Sequence, residues 1–289
     1  MSKPPRLTLP PCARAYRLRT ARGEFAVHEA GPAVLPGTVL LVPGFTGSKE
    51  DFIGLLEPLA AAGRRVVAVD GRGQHESEGP RDESAYALDE LARDVLAQAA
   101  AVADGGPVHL VGHSFGGLVA RAAVVREPGA FASLTLMSSG PGAIAEDQQP
   151  RTKLLVAALE STGGDMPGIW QAIRAMDPED AVPDAPALAA FLRDRWLATV
   201  PEQLIATGRA LVSEPDRIDA LLAAAPRLPV HVLSGEVDYA WPVTRMDDMA
   251  ARLSAARTVV PGAEHSPNAE APEATAAALH AFWSAVSGG

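Results

Sequence analysis

Val108-His109-Leu110-Val111-Gly112-His113-Ser114-Phe115-Gly116-Gly117-Leu118-Val119-Ala120-Arg121-Ala122-Ala123-Val124-Val125 is the stretch that decides the fold. An apolar run enters Gly112, and a helix-like run leaves Gly117. Gly-x-Ser-x-Gly between a strand and a helix is the pattern of a nucleophile elbow. The turn is so tight that the positions two before and two after the serine tolerate almost no side chain. Gly112 and Gly116 meet that need. The expected geometry is a serine hydroxyl at a strand's C-terminal end with a helix N-terminus behind it, a place to stabilise an oxyanion. The plainer alternative is a glycine-rich strand-to-helix turn with an incidental serine.

The flanking sequence alternates strands and helices. Tyr16–Arg19 and Phe25–Glu29 read as a hairpin across Arg22-Gly23. Residues 38–42, Thr-Val-Leu-Leu-Val, form a continuous apolar run, as in a strand buried on both faces. Ser48, with Asp51 at the capping-box position, predicts a helix to about Ala62. Strand runs recur at Arg65–Val69, Leu134–Met137, Val230–Leu233 and Thr258–Val260. Helical runs recur at about 87–103, 243–253 and 273–286. This pattern predicts an α/β protein, a mostly parallel eight-stranded-type sheet covered by helices. Between about Pro141 and Pro226 strand runs disappear, and helical stretches punctuated by prolines take over. The expected organisation is therefore a loosely ordered leader (1–14), a core (15–140 and 227–289) and an inserted helical cap (141–226). Ordinary side helices are the alternative to a cap.

A serine hydroxyl needs a base to take its proton. Residues 230–238 read Val-His-Val-Leu-Ser-Gly-Glu-Val-Asp, and residues 258–265 read Thr-Val-Val-Pro-Gly-Ala-Glu-His. Two late strands thus deliver a carboxylate and an imidazole to the sheet edge that carries Ser114. His265 is the base candidate. His28, His109 and His231 fall inside strands, His280 in the last helix and His75 in a polar loop. The side chain of His113 should point away from that of Ser114. Asp238 is the preferred acid, with Glu236 the alternative and expected at the surface. Glu264 sits too close in sequence to His265 to orient its ring. Backbone amides of Phe115 and Phe45 are the expected oxyanion donors, the second from the Gly44-Phe45-Thr46-Gly47 loop.

Taken together, Pro43–Ser48, Asp70-Gly71-Arg72-Gly73, Gly112–Gly117, Gly235–Asp238 and Gly262–His265 resemble the α/β-hydrolase superfamily over roughly residues 17–286. The resemblance implies a serine hydrolase with a helical cap, similar to bacterial esterases and lipases. It does not name a substrate, because the superfamily hosts many chemistries. Pro43-Gly44 stands where many members have His-Gly. His75 stands where the Asp-x-Arg-Gly-x-Gly-x-Ser turn has glycine, either as a structural residue or projecting toward the cleft.

The 289 residues are 47% hydrophobic and 21% charged, with a net charge of −10. These values suit a globular protein with a large core and argue against nucleic-acid or anionic-membrane partners. The single cysteine, Cys12, excludes a disulfide framework or a cysteine-based metal site. The first eleven residues lack a continuous apolar segment, and no run approaches the ~20 apolar residues of a membrane span. The expectation is a cytoplasmic protein, monomer or homodimer, that needs no metal or cofactor and acts on a small molecule. Met166, Trp170 and Trp196 of the cap are candidate substrate contacts, although helical spacing also suits them to packing. The expected reaction is hydrolysis of a neutral, apolar ester, lactone or thioester through an acyl-enzyme on Ser114. Activity should rise as His265 loses its proton. C–C bond hydrolysis or perhydrolysis on the same triad remains open, as does a slow-turnover ligand sensor. The first of these needs a carboxylate clamp, with Arg72, Arg121 and Arg174 as candidates.

Overall fold

The apolar runs become the strands of one sheet. In a computed structural model describing residues 2–32, 34–176 and 184–287, the strands are β1 (Ala13–Thr20), β2 (Gly23–Ala30), β3 (Thr38–Val42), β4 (Arg65–Val69), β5 (Val108–His113), β6 (Ser133–Met137), β7 (Val230–Gly235) and β8 (Ala256–Val260). Their spatial order is β1-β2-β4-β3-β5-β6-β7-β8. β2 pairs antiparallel with both neighbours, and every other pairing is parallel. The family of strands ending at β3, β5, β7 and β8 therefore presents its C-terminal ends together, with β5 central.

The helices are α1 (Ile53–Ala61), α2 (Leu88–Val102), α3 (Phe115–Arg126), α4 (Gln149–Ser161), α5 (Met166–Ala175), α6 (Pro186–Ala198), α7 (Pro201–Ser213), α8 (Ile218–Ala224), α9 (Val243–Leu253), α10 (Pro267–Glu270) and α11 (Pro272–Ser287). Successive strand side chains point to opposite faces. Leu40 and Val42 accordingly enter the cluster that holds α2, α3 and α9, while Val39 and Leu41 enter the one that holds α1 and α11. Burial on both faces is why these strands read as unbroken apolar runs.

α4 to α7 share a third apolar cluster containing Val156, Leu159, Met166, Trp170, Leu192, Trp196 and Leu204. The span 141–226 contributes side chains to more than one cluster. Leu211 of α7 and Ile218 and Leu221 of α8 pack into the sheet-side cluster. Residues 177–183 of that span lie outside the described residues.

Several local expectations shift. The hairpin closes one residue earlier, with Thr20 opposite Gly23. The backbone amide of Ser48 does donate to Asp51 Oδ2 (3.2 Å), but the first turn, Lys49–Phe52, is a 3-10 turn before α1 begins. The leader, expected to be loose, is held among its described residues. Ser2 O accepts from Arg195 Nη2 (2.7 Å), Lys3 Nζ meets Asp184 Oδ1 (2.6 Å), and β1 already starts at Ala13. Met1 lies outside the described residues. α8 and α10 are too short for a periodic signal in the sequence.

Candidate active site

Ser114 stands between β5 and α3 with φ 56° and ψ −123°, a conformation that L-residues adopt only under constraint. A Cβ on Gly112 would lie 2.3 Å from Gly116 O, and one on Gly116 would lie 2.4 Å from Val42 O. Both positions therefore require glycine. The Ser114 amide donates to Met137 O (2.9 Å), and its carbonyl accepts from Gly117 N (2.9 Å). The Ser114 main chain is thus held from both sides.

β7 and β8 bring the other two residues. His265 Nε2 lies 3.0 Å from Ser114 Oγ, and His265 Nδ1 lies 2.9 Å from Asp238 Oδ2. A carboxylate only accepts, so Nδ1 carries the ring proton and Nε2 is free to receive the serine hydroxyl's. Asp238 Oδ1 accepts from the amides of Ala240 (2.8 Å) and Trp241 (3.0 Å), which fixes its rotation. The carboxylate has no solvent exposure, and Ser114 is 7% exposed. Glu236 is at the surface and does not meet His265. It accepts from Gly262 N (2.9 Å) and so ties the two loops together.

Three rings surround His265, and sequence reasoning passed over two of them, Trp241 and Tyr239. Trp241 stacks at 6.3 Å between centroids, Tyr239 lies at 5.2 Å and His113 at 5.3 Å. Trp241 is itself pinned by Nε1 donating to Gly142 O (2.9 Å). The His113 side chain makes no bond to Ser114. Its Nε2 donates to the backbone carbonyl of His265 (2.9 Å), and burial pushes its pKa down to about 4. A neutral ring inside the Gly-x-Ser-x-Gly motif therefore holds the main chain of His265. The signal was present in the motif, but its partner lies 152 residues away.

Phe115 is the first residue of α3, so its amide has no carbonyl one turn back to bond within the helix. The loop after β3 passes close against Ser114, since a Cβ on Gly44 would stand 2.9 Å from Ser114 Cβ. The Phe45 side chain packs against both the sheet-side cluster and the α4–α7 cluster. Met166, Trp170 and Trp196 are buried inside that second cluster, where Trp196 Nε1 donates to Met166 O (2.8 Å). Their contacts are with one another and with neighbouring helices.

The candidate arginine clamps are engaged elsewhere. Arg72 holds Asp94 (2.6 and 2.7 Å), and Arg121 is buried on Pro141 O (2.6 Å). Arg174 lies 3.6 Å from Asp184 and covers the Trp170 ring. His75 adopts a left-handed φ of 44° and packs edge-on against Phe191 of α6. Glu50, Asp70 and His75 are the one group among the described residues whose donors lie within 4.8 Å of one another. Lys49 Nζ already sits among the acids, 2.8 Å from Glu50, 3.0 Å from Asp70 and 2.9 Å from Glu76. The lysine supplies the cation that the cluster needs.

Residues 37–182 match the model of the alpha/beta hydrolase fold family. The chain is 30% identical over 216 residues to a monoacylglycerol lipase of Mycolicibacterium smegmatis, covering 72% of each chain. It is 30% identical over 230 residues to a pimeloyl-acyl-carrier-protein methyl ester esterase of Aeromonas salmonicida, covering 76% of this chain and 85% of that one. A shorter match, 41% over 116 residues, is to the Variovorax paradoxus protein RutD, whose name assigns it carbamate hydrolysis. It spans 40% of this chain and only 42% of that protein. Among solved structures, a thermophilic esterase from Thermogutta terrifontis superimposes with a TM-score of 0.73 at 24% identity, over 94% of this chain and 99% of that one. The fold, the family match and the two long relatives agree that this chain belongs to the α/β-hydrolase fold family.

Proposed function

We propose that this protein is a serine hydrolase that cleaves neutral, apolar carboxylic esters, or the related lactones and thioesters, through an acyl-enzyme on Ser114. The observation that carries this reading is the unbroken path from Ser114 Oγ to His265 (3.0 Å) to Asp238 (2.9 Å) at the ends of β5, β8 and β7. The names of the two long relatives, a lipase and a methyl ester esterase, support the ester as the bond attacked.

In the proposed reaction His265 Nε2 takes the Ser114 proton as Oγ attacks the carbonyl carbon. The amides of Phe45 and Phe115 receive the developing oxyanion, and Asp238 stabilises the imidazolium. The imidazolium then returns its proton to the leaving alcohol. Water, deprotonated by the same nitrogen, attacks the acyl carbon and frees the acid. The cluster of α4–α7 serves as a cap, with Met166, Trp170 and Trp196 forming the apolar wall behind Phe45 that sets substrate size. Arg72 and Arg121 are committed to buried protein partners, which disfavours a substrate carboxylate and hence a C–C hydrolase of acidic diketones.

The test is turnover of p-nitrophenyl esters of increasing acyl length by the native chain and by Ser114→Ala. Turnover that rises with pH and disappears in the variant is expected. Equal turnover in both proteins would remove Ser114 from the mechanism.

A further inference from the structure

Gln74 is a buried polar residue in the turn after β4 that the triad chemistry leaves unused. It is 5% exposed, and its side chain is extended between two backbone groups. Oε1 accepts from Gly71 N (3.0 Å), and Nε2 donates to Gly44 O (2.9 Å). The main chain around it is also fixed. Gln74 N donates to Gly71 O (3.0 Å), and Gln74 O accepts from Ser77 N (2.9 Å). Room for the side chain depends on Gly71, where a Cβ would stand 2.4 Å from Gln74 Oε1.

The Gly44 carbonyl and the Phe45 amide are two ends of one planar peptide. In a trans peptide the C=O and the N–H point in opposite directions. Whatever holds the Gly44 oxygen therefore aims the Phe45 N–H. We propose that Gln74 is a positioning residue for oxyanion binding, its side-chain amide setting the Gly44–Phe45 peptide so that the Phe45 N–H faces the Ser114 side. This rests on the serine-hydrolase reading above.

The loop needs such a hold. Gly44 is free of a Cβ because it lies against Ser114, and glycine tolerates the ψ change that accompanies a flip of the following peptide. Thr46, next along, is already left-handed at φ 59°. A flipped peptide would present a carbonyl oxygen where the negative charge develops and would repel it. The other bond to Gly44 O, from Gly47 N (3.1 Å), comes from within the loop and moves with it. Gln74 is the anchor from outside, carried on the rigid turn after β4. Preorganisation of this kind is felt by the transition state and not by the bound ester.

The experiment measures kcat and KM for p-nitrophenyl butyrate in the native chain, Gln74→Met, Gln74→Glu and Ser114→Ala. It also measures inhibition by a trifluoromethyl ketone of matching length and by the corresponding secondary alcohol. Gln74→Met removes both side-chain bonds at similar volume. Gln74→Glu, assayed at pH 8 where a carboxylate is ionised, keeps an acceptor for Gly71 N but turns the donor to Gly44 O into an oxygen that repels that carbonyl, so it answers the question should the first variant not fold. The expected result is a kcat lower by about 10–100-fold in both, since a misaimed donor costs less than the ~10²–10³ of a deleted one. KM and alcohol binding should stay within about twofold, while trifluoromethyl ketone binding weakens in step with kcat/KM. Native kcat in either folded variant, or equal weakening of ketone and alcohol, overturns the assignment. Turnover retained in Ser114→Ala would instead overturn the parent reading.

Discussion

Ser114 illustrates how a proposed nucleophile is held by its main chain. Its φ of 56° and ψ of −123° cost about 1–3 kcal/mol, a strain sustained by bonds to Met137 and Gly117 and by glycines on both sides. The conformation lifts Oγ clear of the β5 ladder toward His265 Nε2. Asp238 holds His265 in a matching way, with one oxygen on the ring and the other on two amides. Asp238→Asn should therefore lower kcat by about 10³–10⁴-fold, because an amide both removes the charge facing the imidazolium and favours the wrong tautomer. Steady-state kinetics with p-nitrophenyl butyrate checks this. A loss below tenfold would mean that another group orients His265. The strand-end motifs that carry Ser114, His265 and Asp238 were legible because each is written in a few adjacent residues. The parts played by Gln74, His113 and Trp241 were not legible, because no local motif says which backbone group or ring packing will bring against them.

At the scale of elements, the helices that follow β6 are joined to the core by a buried ion pair. Arg195 of α6 donates to Asp51 Oδ1 (2.7 Å), and both side chains are at most 1% exposed. Asp51 O in turn accepts from Asn268 Nδ2 (2.7 Å), three residues beyond His265. One junction thus links α6, the turn before α1 and α10, which follows His265. Burial makes such a pair weak as a net stabiliser but costly to break on one side. Arg195→Met or Asp51→Asn alone should destabilise by about 3–5 kcal/mol in urea unfolding. The double variant should cost clearly less than the sum, since no uncompensated charge remains. Strict additivity would show that the pair is not coupled. The capping motif Ser48–Asp51 was readable from sequence, but the arginine that Asp51 receives was not.

At the scale of the whole molecule, four histidines sit in a neutral state. His28, His109, His113 and His231 are each pushed down to about 4 by burial. Unfolding returns them to about 6.5, so the unfolded chain binds more protons between those values. Their stabilisation is complete above pH 6.5 and is lost as pH falls toward 4, each adding up to about 1.4 kcal/mol per pH unit. Asp70, which burial raises to about 7, acts with the opposite sign in this window and offsets one of the four. The melting temperature should fall on acidification from pH 6.5 to 4, and His231→Gln should flatten the slope. A melting temperature constant across that range would contradict the buried neutral state.

The order of strands and helices, the elbow and the three residues of the Ser114–His265–Asp238 path follow from local pattern. Unbroken apolar runs, tight turns and strand-end motifs are written in adjacent residues, and the physics that enforces them is short in range. The pinned leader, the split of the 141–226 span between two clusters, the rings around His265 and the Gln74–Gly44 bond come only from tertiary structure. Each depends on groups tens to nearly two hundred residues apart meeting within a few ångströms. Such meetings are decided by how all the elements pack at once, because only closure of the chain chooses which buried polar group finds which partner.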